Sequence, residues 1–191
     1  MIWKFVRHLE ISGCNDNTTT SMSITSYPLL NSLHINDNSF GNVVMLTISN
    51  LHNLKTIQIN ENSFGNVATL TISNLHNLIS VSIGRNSFTQ SIDWYGLNTN
   101  RTAVIKNCTQ LKELVIGDYA FSDYYSLELS SLPSLERLVF GEYSFYHSPS
   151  FILESRYLIN GLSLDMPSLQ TITFGNYSFS KTEHISFQSI L

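Results

Sequence analysis

Residues 41–64 and 65–88 are two consecutive copies of one 24-residue unit: GNVVMLTISNLHNLKTIQINENSF is followed by GNVATLTISNLHNLISVSIGRNSF, identical at 16 of 24 positions. Self-similarity at a fixed short period marks an array in which each unit buries its apolar face only against its neighbours. The period extends beyond the duplication. A Ser-Phe or Ala-Phe pair ends at Phe40, Phe64, Phe88, Phe121, Phe145 and Phe179, with spacings of 24, 24, 33, 24 and 34. Two units therefore carry insertions of nine and ten residues, and the rest keep the period.

Ahead of each Phe stands L-x-x-L-x-L-x-x-N-x-F, as in Leu30, Leu33, Ile35, Asn38, Phe40 and in Leu54, Ile57, Ile59, Asn62, Phe64. It recurs around Val81, Leu114, Leu138 and Ile172, with a degenerate first copy of Val6, Leu9, Ile11 and Cys14. The L-x-L part alternates apolar with polar residues, the period-two signature of a strand with one buried face. A second short apolar pair precedes each main strand (Met22/Ile24, Leu46/Ile48, Leu70/Ile72, Leu127/Leu129, Ile185/Phe187), so the opposite wall of each coil is expected to be extended too. After the second apolar residue comes Asn36, Asn60, Gly84, Gly117, Gly141 or Gly175. Gly and Asn enter left-handed backbone angles at low cost, and the turn is expected to begin there.

The pattern resembles the leucine-rich repeat family, L-x-x-L-x-L-x-x-N/C-x-L, and Cys14 suits its Asn-or-Cys position. The I-G-x-x-A-F wording of Ile116, Gly117, Ala120 and Phe121 is similar to the BspA-type subgroup of bacterial and protist repeats. The resemblance implies a right-handed coil stack whose main sheet lines a concave side where partners dock. Tyr119, Tyr143 and Tyr177 depart from it, standing where the family has Asn. A phenol does not reproduce the amide's ties between coils. The expected fold is thus a β-rich solenoid with two short strands per coil and little helix, a single array of about seven coils across residues 1–191.

Charged residues make up 13% of the chain and the formal net charge is -4. Nucleic acid and anionic membrane call for a basic patch that this composition does not supply. No run of 18 apolar residues exists to span a membrane. The start, MIWKFVRHLEIS, has no apolar core of a signal peptide, which implies a cytoplasmic protein if the chain is full length. Neither end reads as a polar capping unit, which implies a fragment of a longer array, and then a cell-surface or secreted setting.

Candidate chemistry is sparse. Cys14 and Cys108 fall at ladder positions and read as buried thiols. His52 and His76 share one phase, but Pro133 and Pro167 take it later, which favours a solvent-facing turn over a metal pair. Asp37, Glu61, Asp118 and Glu142 share another phase that Arg85 interrupts, a solvated row rather than the paired acids of a polysaccharide-cleaving solenoid. No catalytic residue, metal site or cofactor is assigned.

What remains is recognition. Six of the eight differences between the duplicates fall within residues 55–61 and 79–85. On the main strand, the residues beside the buried positions point outward and give Thr56, Gln58, Ser80, Ser82, Glu113 and Arg137, with Arg85 in the turn. The two insertions, placed at about 95–103 and 154–163 and expected to enter the coil at the same phase, add Trp94, Tyr95, Arg101, Arg156 and Tyr157, residue types that dominate interface hot spots. The expected function is a non-catalytic module that binds a protein, or secondarily a glycan. A carbohydrate-active solenoid enzyme and a structural spacer are the alternatives.

Overall fold

The computed structural model describes residues 5–13, 18–90, 98–155, 158–159, 162–163 and 168–189. The L-x-L segments form one seven-stranded sheet of His8–Ile11, Ser32–Ile35, Thr56–Ile59, Ser80–Ile83, Glu113–Ile116, Arg137–Phe140 and Thr171–Phe174. The apolar pairs that precede them form a second, of Ser21–Ile24, Met45–Ser49, Thr69–Ser73, Asn98–Lys106, Tyr124–Ser130, Ser150–Ser155 and His184–Ser189. Every neighbouring pair in both sheets is parallel. The chain is a β-solenoid of about six turns, with no helix among the described residues.

The alternation decides which side chains fill the core. Leu33, Ile57, Val81, Leu114 and Leu138 stack from coil to coil, as do Ile35, Ile59, Ile83, Ile116 and Phe140, all at most 1% exposed. From the other wall come Leu46, Leu70, Ala103, Leu127 and Phe151, in register and equally buried. Each fully buried Leu, Ile or Phe contributes on the order of 1.5–3 kcal/mol, and no coil collects that without a neighbour.

The turn after the first sheet is not the one expected. Asn36, Asn60 and the four glycines at their phase lie outside the left-handed region, which is entered two residues later. Asn38, Asn62, Asn86, Tyr119, Tyr143 and Tyr177 have φ between 55° and 59°, and the Phe two residues further on has φ between 49° and 59°. Positive φ at a bulky residue is costly, on the order of 1 kcal/mol or more, and persists only where the surroundings over-determine it. Here Phe64 N–H donates to Ser39 O at 2.9 Å, Phe88 N–H to Ser63 O at 2.9 Å and Phe121 N–H to Ser87 O at 3.1 Å. The rings from Phe40 to Phe179 then stack with centroids 4.7–5.3 Å apart. The glycines answer crowding instead of φ: a Cβ on Gly84 would lie 2.7 Å from Asn60 C, and one on Gly141 2.4 Å from Asp118 N.

Replacing Asn by Tyr leaves the turn unchanged. Asn62 N–H donates to Arg85 O at 2.9 Å, and Tyr143 N–H donates to Asn176 O at 2.9 Å in the same way. The backbone carries the tie between coils. The side chains supply what suits each half: Asn86 Nδ2 donates to Asn62 Oδ1, whereas Tyr119, Tyr143 and Tyr177 form a column with centroids 5.1 and 4.8 Å apart. A second amide ladder, Asn50–Asn74–Asn107, follows the other sheet.

The insertions do not share a phase. Six residues separate Phe64 from Leu70, and Phe145 from Phe151, but fifteen separate Phe88 from Ala103, which pairs with Leu70. The first insertion therefore precedes its second-sheet strand, and the second follows Phe151. Part of the second folds back as an antiparallel pair, Leu158–Ile159 with Leu162–Ser163.

Candidate functional site

The first sheet presents two rows of outward side chains in strict register. Ser32, Thr56, Ser80, Glu113, Arg137 and Thr171 form one, and His34, Gln58, Ser82, Val115, Val139 and Thr173 the other. Parallel strands place successive members of a row roughly 4.8 Å apart. Thr56, Gln58, Ser82 and Arg137 are exposed, and Ser80 and Glu113 are half-buried. All six expected sheet residues thus lie on one surface.

The chemistry of that surface changes along its length. In the first coils it is amide and hydroxyl: Gln58 Nε2 donates to Asn60 Oδ1 at 3.0 Å, His34 Nε2 lies 3.3 Å from the same oxygen, and His8 Nδ1 lies 2.7 Å from Ser32 Oγ. Further along, Arg137 pairs with Glu113, and Lys112 Nζ lies 3.1 Å from Glu136 Oε1. These side chains are about half exposed and the pairs add little stability, but they link neighbouring coils. The turn row bordering the sheet is structural in part: Asp37 Oδ1 accepts from Glu61 N–H at 2.9 Å, and Asp118 Oδ1 from Glu142 N–H at 2.8 Å. Arg85, in the same row, lies over the Tyr119 ring at 5.5 Å and starts the tyrosine column.

Arg101 is not an edge-loop residue. Two extra residues between Asn98 and Thr102 bulge the strand against Tyr124–Ser126, and Arg101 sits in that bulge, 1% exposed. Its Nη2 donates to Phe88 O at 2.7 Å and to Gly65 O at 2.9 Å. Nε lies 3.4 Å from Asp123 Oδ1, and the guanidinium lies 4.7 Å over the Tyr124 ring. Burial pushes the Asp123 carboxyl above its ordinary range, with Arg101 opposing. Tyr124 Oη donates to Val67 O at 2.5 Å. This group stitches together three coils, and a cation so enclosed is not presented to a partner. Trp94, Tyr95, Arg156 and Tyr157, like Cys14, lie outside the described residues.

Other sequence candidates resolve into structure. Cys108 is a free thiol buried between the ladder residues Leu75 and Leu132, and desolvation pushes its pKa to about 11. His52 and His76 are exposed and stack with centroids 6.4 Å apart. Among the described residues no group of three or more His, Cys, Asp or Glu side chains is placed to hold a metal ion. Among them, too, no helix is long and apolar enough to cross a membrane. The tyrosine column and the Asn50 ladder were missed in the sequence, though the recurrence of Asn50, Asn74 and Asn107 at the insertion-adjusted period was a usable signal.

Chemically, the sheet surface offers closely spaced hydroxyl, amide and imidazole groups in fixed register, suited to hydrogen-bonded recognition. No family model matches this chain, and no curated protein or solved structure matches it either.

Proposed function

We propose that this chain is a non-catalytic recognition module of leucine-rich-repeat type, nearest in wording to the BspA-type repeats, which binds a protein partner through the outward face of its first sheet. One observation carries the reading. Between the duplicated coils, Lys55/Ile79, Thr56/Ser80, Gln58/Ser82 and Glu61/Arg85 differ and lie on this face or its border, while on the second sheet's outward face Met45/Thr69 differs and Thr47/Thr71 is unchanged. Among the positions that differ in that segment, only Ile57/Val81 points into the core. A scaffold held constant beneath an altered surface suits selection for contact. The amide-rich stretch from His34 to Ser82 is the proposed centre, and the paired charges from Lys112 to Arg137 form its rim.

The test compares two surface variants as bait. One carries Ile79→Lys, Ser80→Thr, Ser82→Gln and Arg85→Glu, which copies the first coil's face onto the second; Gly84 stays, because a side chain there would meet the Asn60 backbone. The other carries Thr47→Glu and Thr71→Glu on the opposite sheet. Proteins crosslinked to the wild type should be retained by the second bait and lost at least tenfold, about 1.4 kcal/mol, by the first. Equal retention by both baits would refute recognition by this face. Release of reducing ends from a polysaccharide panel would instead favour the enzyme.

A further inference from the structure

Tyr119, Tyr143 and Tyr177 occupy a turn position suited to Asn. Their φ angles of 59°, 55° and 59° lie in the left-handed region, which Asn enters at lower cost than a bulky aromatic residue. Asn38, Asn62 and Asn86 stand at that position in earlier coils, and the backbone tie is the same with either residue: Asn62 N–H donates to Arg85 O at 2.9 Å, and Tyr119 N–H to Glu142 O at 2.7 Å. The turn does not require phenols, yet three successive coils carry them. What they add is a reactive column. Tyr143 stacks on Tyr119 with centroids 5.1 Å and planes 10° apart, and on Tyr177 at 4.8 Å and 17°. Tyr119 and Tyr143 are half-buried, so the column is in contact with solvent. We propose that it is an oxidative cross-linking site, in which hydrogen peroxide used by a haem peroxidase couples Tyr143 to Tyr119 or Tyr177 as dityrosine.

Each phenol gives up one electron and its Oη proton, which leaves a radical with spin density on the ring carbons beside the C–O bond. Two such carbons, one Cε from each ring, form the new C–C bond. Each then sheds its hydrogen as a proton while its Oη regains one, so both rings are phenols again. The pair has lost two electrons and two protons, and these reduce one hydrogen peroxide to two waters. Dispersed tyrosyl radicals must find each other by diffusion, whereas rings stacked 4.8–5.1 Å apart meet by rotation about their side-chain bonds, the advantage of any reactants held in place. Tyr146 is a poorer partner for Tyr143, 5.6 Å away and tilted by 46°. Tyr124 is excluded, fully buried with its Oη donating to Val67 O. The link ties together positions 24 or 34 residues apart and so removes freedom from the unfolded chain.

Treatment of the full 191-residue chain with peroxide and peroxidase, dilute enough that collisions between molecules are rare, tests this. Digestion and mass spectrometry of the monomer should find Tyr143 peptides joined to Tyr119 or Tyr177 peptides, lighter than their sum by two hydrogens. Tyr143→Phe keeps the ring stack, and Phe already stands at positive φ two residues further on in each of these turns, so that variant folds. Its total dityrosine, read by fluorescence of the monomer, should fall about tenfold or more. Tyr119→Phe leaves one pair and should lose only part of the signal. Cross-linked wild type should also melt at a higher temperature than the untreated chain, a rise that Tyr143→Phe does not show. A wild-type yield of dityrosine from Tyr143→Phe would overturn the proposal. So would oxidation of the exposed Tyr125 with the column peptides left intact, or links formed only between molecules.

Discussion

The coils of residues 41–88 and the interrupted coil that follows solve the same packing problem in two ways. In the regular coils every inward position meets an equivalent one 24 residues away, as Leu46 meets Leu70 and Ile48 meets Ile72, and repetition alone closes the core. Where nine residues enter before Ala103, the strand arrives with a bulge, and Arg101 and Tyr124 close the gap with hydrogen bonds to the carbonyls of Gly65, Phe88 and Val67, with Asp123 facing the Arg101 guanidinium. A solenoid can absorb an insertion without losing its register, but only by substituting specific side chains for a general rule. Stability should therefore respond to different kinds of change in the two regions.

The largest effect belongs to the regular ladder. Ile57→Asp puts a carboxylate into a fully apolar row and should cost at least about 4 kcal/mol, whereas its outward neighbour Gln58→Ala should change stability by less than about 0.5, both measured by urea unfolding. Similar costs at the two would mean that the faces are assigned wrongly. Arg101→Ala leaves Asp123 buried without its cation and should cost about 3–5 kcal/mol, while Arg137→Ala, on the surface, should cost under about 1. If the two arginines proved equal, the bulge would not depend on its polar plug. The smallest contrast lies in the turns. Gly141→Ala forces a methyl against the Asp118 backbone and should cost about 1–3 kcal/mol, while Gly41→Ala, with nothing within 4 Å of the added carbon, should be neutral within about 0.5.

The same contrast explains what could be read in the sequence. Ladder positions and both strand rows follow from a two-residue alternation repeated at a fixed period, so Thr56, Gln58, Ser80, Ser82, Glu113 and Arg137 were placed on one face from the residues alone. The turn was misread by two residues, because Gly at Gly84 and Gly141 was attributed to left-handed φ when it relieves crowding between stacked backbones, a property of two coils and not of one. The structure differs at Arg101 because placing the insertion at about 95–103 assumes that the apolar strand position comes before the extra residues, whereas Ala103 holds it after them. An insertion's phase depends on which of two apolar pairs the strand selects, and local pattern does not decide it.

Excision of residues 41–64 tests most directly the claim beneath all of this, that the 24-residue unit is a structurally interchangeable coil. Joining Phe40 to Gly65 recreates the junction that Phe64 and Gly65 already make, so each ladder, turn bond and ring stack finds an equivalent partner. The shortened chain should keep a strand-dominated circular dichroism spectrum and a single cooperative melt, with a smaller hydrodynamic radius. Loss of the strand signal, or a broad non-cooperative melt, would contradict the account.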